Sequence, residues 1–512
     1  MAFQAGKVSV ATGLSRVLGL VREQVMAYFF GAGMATDAFV AAFRVPNLLR
    51  DLFAEGALSS AFIPVFKDTA VNAGRERAFY LANLTISSLL MIVGLVVAVG
   101  IIFSPQIIYV SAHGFTSDPE KFNLAVRLTR IMFVYLIMVS VSAVFMGILN
   151  SFGRFGIPAL SPALFNLGMI ITPVVLYQYF DIPIYTLAIG VIIGGIGQIV
   201  FQLPTLFQIG FRFNFVLNFA DTALRRIGRL ISPMIMGLSA SRINIVINTL
   251  LASLLIEGAI SYLNFAYRLM HFPLGVFGVA LGTVTLPRVS DEVARNKLDK
   301  LAHTFHEAIG LSVFLIIPSA VYLAGFGDDL VRLIYERGAF DAEATRQTAR
   351  ALYFYAFGLI GFAGVRVAAP IFYALGDARR PMHYSILAVI VNIVLNFVFI
   401  PIWGFAGLAA ATSAAGLTNL SLLTIKLRSR ISGLDFRYLF FHIVRVLTGA
   451  LAAWYITRAT GLETFISPAR LSGQIILIFL QIMMMGLLYL LFMMIFRVRE
   501  VGRLLAMLKS RR

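Results

Sequence analysis

SRVLGLVREQVMAYFFGAGMATDAFVAAFRVPNLLRDLFAEGALSSAFIPVF, residues 15–66, sets two apolar helical runs one after the other and puts charge inside both. The first run holds Arg16, Arg22 and Glu23; the second holds Asp37, Arg44, Arg50, Asp51 and Glu55. At 1.5 Å per residue each run is long enough to cross a hydrocarbon core of about 30 Å. A charge at mid-bilayer costs about 2.5–3.5 kcal/mol even on the lenient insertion scale, so these residues belong on faces turned to a bundle interior or a watery cavity. With a period of 3.6, Ser15 and Arg22 share one stripe, as do Arg16 and Glu23, while Asp37, Arg44 and Asp51 recur at seven-residue steps. The first run reads as a retained helix, because its charges interrupt any signal-peptide core and no small-residue cleavage site follows.

The same pattern extends over the whole chain. Of 512 residues 59% are hydrophobic and 13% charged, with a mean hydropathy of +0.88; soluble domains carry about 25% charged residues. Apolar runs recur near 8–31, 36–64, 78–103, 123–150, 157–180, 184–209, 222–254, 258–287, 301–326, 344–375, 382–402, 404–427, 438–459 and 470–497. The expected fold class is therefore an all-α polytopic membrane protein of about fourteen transmembrane helices. Basic residues concentrate in alternate connections, at Lys67, Arg75 and Arg77, at Arg225, Arg226 and Arg229, at Arg295 and Lys297, at Arg428 and Arg430, and in the tail. The opposite connections hold few, chiefly Lys121, Arg332, Arg337, Arg458 and Arg470. The positive-inside rule then places both termini in the cytoplasm. The net charge of +18 is spread over these loops instead of forming one basic face, which argues against nucleic acid as a partner. There is no cysteine, hence no disulfide framework and no thiolate metal site.

A repeat is visible at an offset of about 224 residues. Arg44, Phe53 and Pro64 are echoed by Arg268, Phe277 and Pro287, and LNSFGRFGIP (149–158) lines up with FYALGDARRP (372–381). Six spans return the chain to the side it started from, so the halves should be parallel copies. The expected domains are an N-terminal six-helix lobe (1–215), a C-terminal six-helix lobe (216–430), and two further helices with a basic tail (431–512). The first two spans of each half carry the internal charge, including Arg242 in the seventh and Arg268 with His271 in the eighth. This predicts a V-shaped central cavity lined by spans one, two, seven and eight. Arginine dominates the lining, and its planar fork suits phosphate oxygens. The GVIIGGIGQ run (190–198) follows no strand and reads as small-residue helix packing.

Residues 15–66, together with YRLMHFPLGVFGVALGTVTLP (267–287), resemble the lipid II flippase family, called MurJ or MviN, of the MOP exporter superfamily. The span count and the 6+6+2 plan extend the resemblance over nearly the whole chain. It implies export of the undecaprenyl-diphosphate-linked disaccharide-pentapeptide, lipid II, across the bacterial inner membrane for peptidoglycan and cell-wall biogenesis. It further implies that Arg16, Arg22, Arg50 and Arg268 contact the diphosphate, with Ser15, Ser261 and Asn47 as further substrate-binding candidates, and that Asp37 and Glu55, with Glu23 and His271, gate or balance charge. Where many family members carry acidic groups, this chain has Tyr267 and His271, and a histidine there could change charge within the physiological range. Certain members hold a sodium ion with spans seven and eleven; Asn392 and Asn396 are the candidates here, without a carboxylate in span seven. His303 and His306 have no evident third metal ligand. No resident metal or cofactor and no enzymatic step are expected, a monomer among membrane lipids is, and coupling to the membrane potential or a monovalent ion is left open. The alternatives are another MOP-type transporter, either a lipid-linked oligosaccharide flippase or a drug/cation antiporter, and, more distantly, a membrane glycosyltransferase. An antiporter cavity should favour carboxylates, and a glycosyltransferase needs a catalytic carboxylate on a sizeable loop.

Overall fold

The computed structural model describes residues 2–51, 57–295, 297–431, 433–466 and 470–502; within these ranges the side chains of 2–7, 9, 57, 232–242, 278–281, 283–284, 298 and 299 lie outside the description. Glu55 and the side chain of Arg242 are thus outside the described residues. The described elements are helices, with no strand among them: α1 (Ala2–Phe30), α2 (Met34–Arg50), α3 (Ala57–Asn72), α4 (Arg75–Ile102), α5 (Ser104–Ser111), α6 (Pro119–Phe133), α7 (Tyr135–Ser151), α8 (Gly156–Leu176), α9 (Tyr185–Gln208), α10 (Thr222–Ser253), α11 (Ala259–Pro273), α12 (Val279–Ala294), α13 (Leu298–Gly325), α14 (Gly327–Tyr335), α15 (Ala342–Ala374), α16 (Arg379–Trp403), α17 (Phe405–Arg428), α18 (Phe436–Ala459), α19 (Leu462–Phe465) and α20 (Leu471–Ile495).

Among the described residues, ten helical runs are long and apolar enough to cross a membrane. The other four expected spans, near 8–31, 36–64, 222–254 and 258–287, are those interrupted by internal charge, and parts of them lie outside the described residues. Several boundaries differ from expectation. The span expected at 36–64 starts earlier and ends later, in α2 from Met34 and in α3 to Asn72, with residues 52–56 outside the described residues, and the span at 258–287 passes through a π-helical turn, Leu274–Gly278, directly after Pro273. A proline in mid-helix removes a donor and clashes with the preceding turn, which loosens the backbone at that point. The short helices α5, α14 and α19 were not expected at all.

The chain divides into two compact units. The first comprises Met1–Ser261 with Arg337–Asp341, the second Tyr262–Glu336 with Ala342–Arg512. In the first, α8 packs on α9 and α1, α7 on α3, α4 and α9, and α2 on α6. Gly190 and Gly194 of α9 let it approach α8 so closely that a Cβ on Gly190 would sit 2.8 Å from the Gly168 carbonyl. In the second, α15 packs on α12, α13 and α17, and α16 on α17. Val446, Ala450 and Ala453 of α18 join Met485, Tyr489 and Met493 of α20 against Phe314 and Ile317 of α13, and Tyr489 donates to the Phe314 carbonyl at 2.7 Å.

Element boundaries recur along the chain. Helix α1 ends at Phe30 and α10 at Ser253; α4 starts at Arg75 and α13 at Leu298; α5 at Ser104 and α14 at Gly327; α6 at Pro119 and α15 at Ala342; α8 at Gly156 and α16 at Arg379. Each pair is separated by 223 residues. The turns after α7 and α15 match in detail: Gly153 and Gly376 both have φ +73°, and Arg154 and Asp377 donate their N–H to the carbonyls of Leu149 and Phe372. These are left-handed glycine C-caps, a conformation costly for other residues.

Candidate functional site

The charged stripes of α1 and α2 are each held by partners from neighbouring helices. Arg22, half-buried on α1, donates to the Asn166 side-chain oxygen of α8 at 3.0 Å and to Glu23, while the Asn166 amide donates to the Ser15 carbonyl at 3.0 Å. The seven-residue step from Ser15 to Arg22 therefore brings both to one asparagine. The guanidinium also lies 5.7 Å from the Phe165 ring, and Glu23 is buried. Arg16, by contrast, is exposed. At the far end of α2, Arg50 donates to Asp51 at 3.0 Å; Arg44 and Asn47 are half-buried on the same helix, which runs through Pro46.

Asp37 lies in the first turn of α2 and is 1% exposed. It accepts from Lys121 Nζ at 2.9 Å, from the Gly258 N–H at 2.8 Å, and from the Ser261 N–H and hydroxyl at 2.9 and 2.6 Å. Four donors on one carboxylate satisfy a charge that would otherwise be costly to bury. Two of them are backbone groups at the start of α11, where a helix N-terminus attracts negative charge. The favour is returned: Glu257, just before α11, accepts the Met34 N–H at the start of α2 at 2.8 Å. The two helix beginnings thus cap each other. Asp37 was expected to gate or balance charge; its cationic partner is Lys121 of α6, a residue assigned from sequence to an outer connection and here buried, with its ammonium 4.6 Å from the Phe115 ring. Ser261 is fully buried against Asp37.

In the second unit, Arg268 is exposed on α11 and His271 is half-buried one turn on. His271 Nδ1 donates to the Tyr267 carbonyl at 3.0 Å, and the two rings lie 4.0 Å apart, with Tyr355 of α15 beyond Tyr267. Arg366 of α15 and Arg268 both place positive charge near His271. Asn392 and Asn396 of α16 are buried; Asn396 donates to Asn392 at 3.2 Å and Asn392 to Thr412 of α17 at 3.3 Å. Among the described residues no group of three or more His, Cys, Asp or Glu is gathered for a metal ion. Sequence reasoning missed Asn166, Arg366 and the role of Lys121. The signal for the first two was a lone polar residue in an apolar run; for Lys121 there was none.

The model of the lipid II flippase MurJ family matches residues 26–468. This chain belongs to that family. A Burkholderia cenocepacia lipid II flippase MurJ is 37% identical over 431 residues, covering 83% of each chain, and a probable lipid II flippase MurJ from Vibrio cholerae is 35% identical over 486 residues, covering 91% of each. A solved lipid II flippase MurJ in an inward closed conformation superposes with a TM-score of 0.79 at 27% identity, covering 96% of this chain and 98% of that one. A multidrug-resistance transporter of the MATE family and MOP superfamily reaches a TM-score of 0.68 at 14% identity over 83% of this chain and 98% of its own, a likeness of fold alone. MurJ proteins are transporters, so the polar groups buried in these helices belong to a multi-pass membrane flippase of peptidoglycan biosynthesis.

Proposed function

We propose that this chain moves lipid II from the cytoplasmic to the outer leaflet of the bacterial inner membrane by alternating access, without a chemical step or a bound cofactor. The supporting observation is the Arg22 cluster: a guanidinium fixed by Asn166 and Glu23 beside Ser15, inside a bundle of apolar helices, in a chain of the MurJ family. Arg22, with Arg16, Arg50 and Arg268, gathers the diphosphate, whose oxygens accept two parallel bonds from a guanidinium fork. Ser15, Asn47 and Ser261 complete the polar lining. The polyprenyl tail stays in lipid while the head group crosses.

The moving parts are the two six-helix lobes, 1–215 and 216–430, each delivering one charged helix pair to a V-shaped cavity. The reciprocal cap of α2 and α11 serves as the outer latch. While Asp37 holds Gly258 and Ser261, that side is shut; release exposes those donors to water, and Lys121 stays with Asp37 to keep the carboxylate neutralised. Both termini lie in the cytoplasm and the chain works as a monomer among membrane lipids. Movement draws on the membrane potential or a monovalent ion gradient.

Lipid II translocation in reconstituted vesicles tests this reading, with undecaprenyl phosphate and undecaprenyl diphosphate as competitors. Lipid II should cross only with the protein present, and the diphosphate should compete more strongly than the monophosphate. Equal competition by the two would rule out the arginine clamp.

A further inference from the structure

Residues 209–221, which join α9 to α10, take a detour beside α4. The Ile209 carbonyl accepts from Arg75 at the start of α4; the Arg212 carbonyl accepts from Asn83 at 3.3 Å; the Val216 N–H donates to the Ser87 hydroxyl at 3.1 Å; and Asp221 pairs with Arg77. Partners at 75, 83, 87 and then 77 mean that the chain runs about 18 Å along α4 and back, at 1.5 Å per residue. Helix α4 is one of the apolar spans, so the tip of this loop lies at lipid depth. Irregular backbone there is tolerated only where its polar groups are satisfied. Asn83 and Ser87, both buried and one turn apart on one face of α4, supply that.

The loop's side chains are FRFNFVLNF, residues 211–219. Phe211 is buried against Phe79 and Phe145, whereas Phe213, Phe215, Leu217 and Phe219 are exposed. Beside them runs a groove of about 520 Å³ walled by Phe145, Leu203, Phe207, Phe211 and Phe213, with Arg212 at its rim. Of the acids at this end, Asp221 is paired with Arg77 and Asp68 with Arg226, while Glu76 is exposed in the first turn of α4. Arg212 and Arg225 are exposed at this end, and Arg225 Nε also fastens the loop by donating to the Phe219 carbonyl at 2.9 Å.

We propose that this re-entrant loop is a binding site for an anionic glycerophospholipid of the surrounding leaflet, one acyl chain lying in the groove and the headgroup phosphate on Arg212. Exposed aromatic side chains along a segment that enters at the headgroup level and dips among the acyl chains fix its depth. An apolar slot with a guanidinium at its rim matches an amphiphile with one acyl chain inward and a phosphate outward. The excess of arginine over free carboxylate selects a headgroup of net negative charge over a zwitterionic one. The site lies on α4, α7, α9 and the loop, apart from the charged stripes of α1, α2 and α11, and it is independent of what the protein transports.

Native mass spectrometry of the purified full-length protein, titrated with phosphatidylglycerol or phosphatidylcholine of matched chains, tests the proposal. The parent should retain phosphatidylglycerol about five-fold more tightly, the contribution of one arginine near an anionic surface. Arg212→Gln should bring that lipid down to the phosphatidylcholine level, since only the Arg212 backbone carbonyl holds the loop to Asn83. Phe213→Ser should weaken both lipids, and Arg226→Gln, whose guanidinium is paired with Asp68, should change neither. Glycerol 1-phosphate in excess should not displace the lipid. Equal retention of the two lipids by the parent, or an unchanged preference in Arg212→Gln, overturns the proposal, and neither result bears on lipid II transport.

Discussion

Arg22 shows how a cation is kept in place inside an apolar bundle. Asn166 and Glu23 take two edges of its guanidinium and Phe165 lies beside it. Arg22→Ala removes both bonds and any phosphate contact, and transport in vesicles should fall by ten-fold to a hundred-fold, since bonds to charged groups are worth roughly 1.5–3 kcal/mol. Arg22→Lys should recover little, because an ammonium offers a point charge in place of a fork; full activity in the lysine variant would show that charge alone suffices. Asp37 makes a different demand. Asp37→Asn leaves Lys121 buried and unpaired, which should cost about 3–5 kcal/mol of stability. Asp37→Asn combined with Lys121→Met should regain most of that in thermal unfolding while transport stays low, because the amides that start α11 still lack their carboxylate. Unrestored stability in the double variant would show that Lys121 is not the decisive partner. The charged stripes were legible in the sequence because lipid makes every internal charge conspicuous. Their partners were not: Lys121 follows the turn Asp118–Pro119 and reads as loop, and Asn166, though a lone polar residue in an apolar run, carries no sign of which helix it faces.

At the level of elements, the long apolar helices were readable from composition, whereas the short ones were not. Helices α5 and α14 follow α4 and α13 after a single residue, and only the tertiary contacts distinguish them from a continuation of the span. The start of α10 is another matter of local chemistry. Asp221 caps it by accepting the N–H groups of Ala223 and Leu224, and also pairs with Arg77. Burial works to raise its pKa, but the bond and charge of Arg77 and the two amides outweigh it, so the carboxyl titrates below its usual value of 3.8. A depressed folded-state pKa stabilises above the unfolded value and ceases to do so as pH falls through the folded one. Asp221→Asn keeps the cap and loses the charge, so it should be less stable than the parent by roughly 1 kcal/mol at pH 7, with the difference shrinking below about pH 4. A difference that persists unchanged at pH 3 would mean that the pairing with Arg77 contributes nothing. The loop before Asp221 was not legible: FRFNFVLNF alternates like a strand, and only Asn83 and Ser87 reveal what it lies against.

The whole molecule carries its repeat more plainly in helix boundaries than in residues. A few glycines, prolines and arginines matched in sequence, yet five pairs of helix ends fall 223 residues apart, because lipid constrains where helices begin and end far more tightly than which apolar residue fills them. Topology can be tested directly, since the chain contains no cysteine. Single cysteines at Gly74 should react with an impermeant maleimide only from the cytoplasmic side, and at Ser117 or Asp341 only from outside. Labelling of Gly74 from outside would reverse the direction assigned to transport.

The mutual cap of α2 and α11 also says something about ancestry. At the offset that pairs Arg44 with Arg268, Asp37 falls on Ser261, the residue it binds. If one ancestral gene gave rise to both halves, these two were once a single position facing its own copy. Aspartate there would have set two carboxylates against each other, and serine would have left no anion for a lysine. The present contact could arise only after duplication, when each copy was free to mutate alone. Fusion made the bond inheritable as an unlike pair, and a reversion of the chain to two identical subunits is closed off at this one contact.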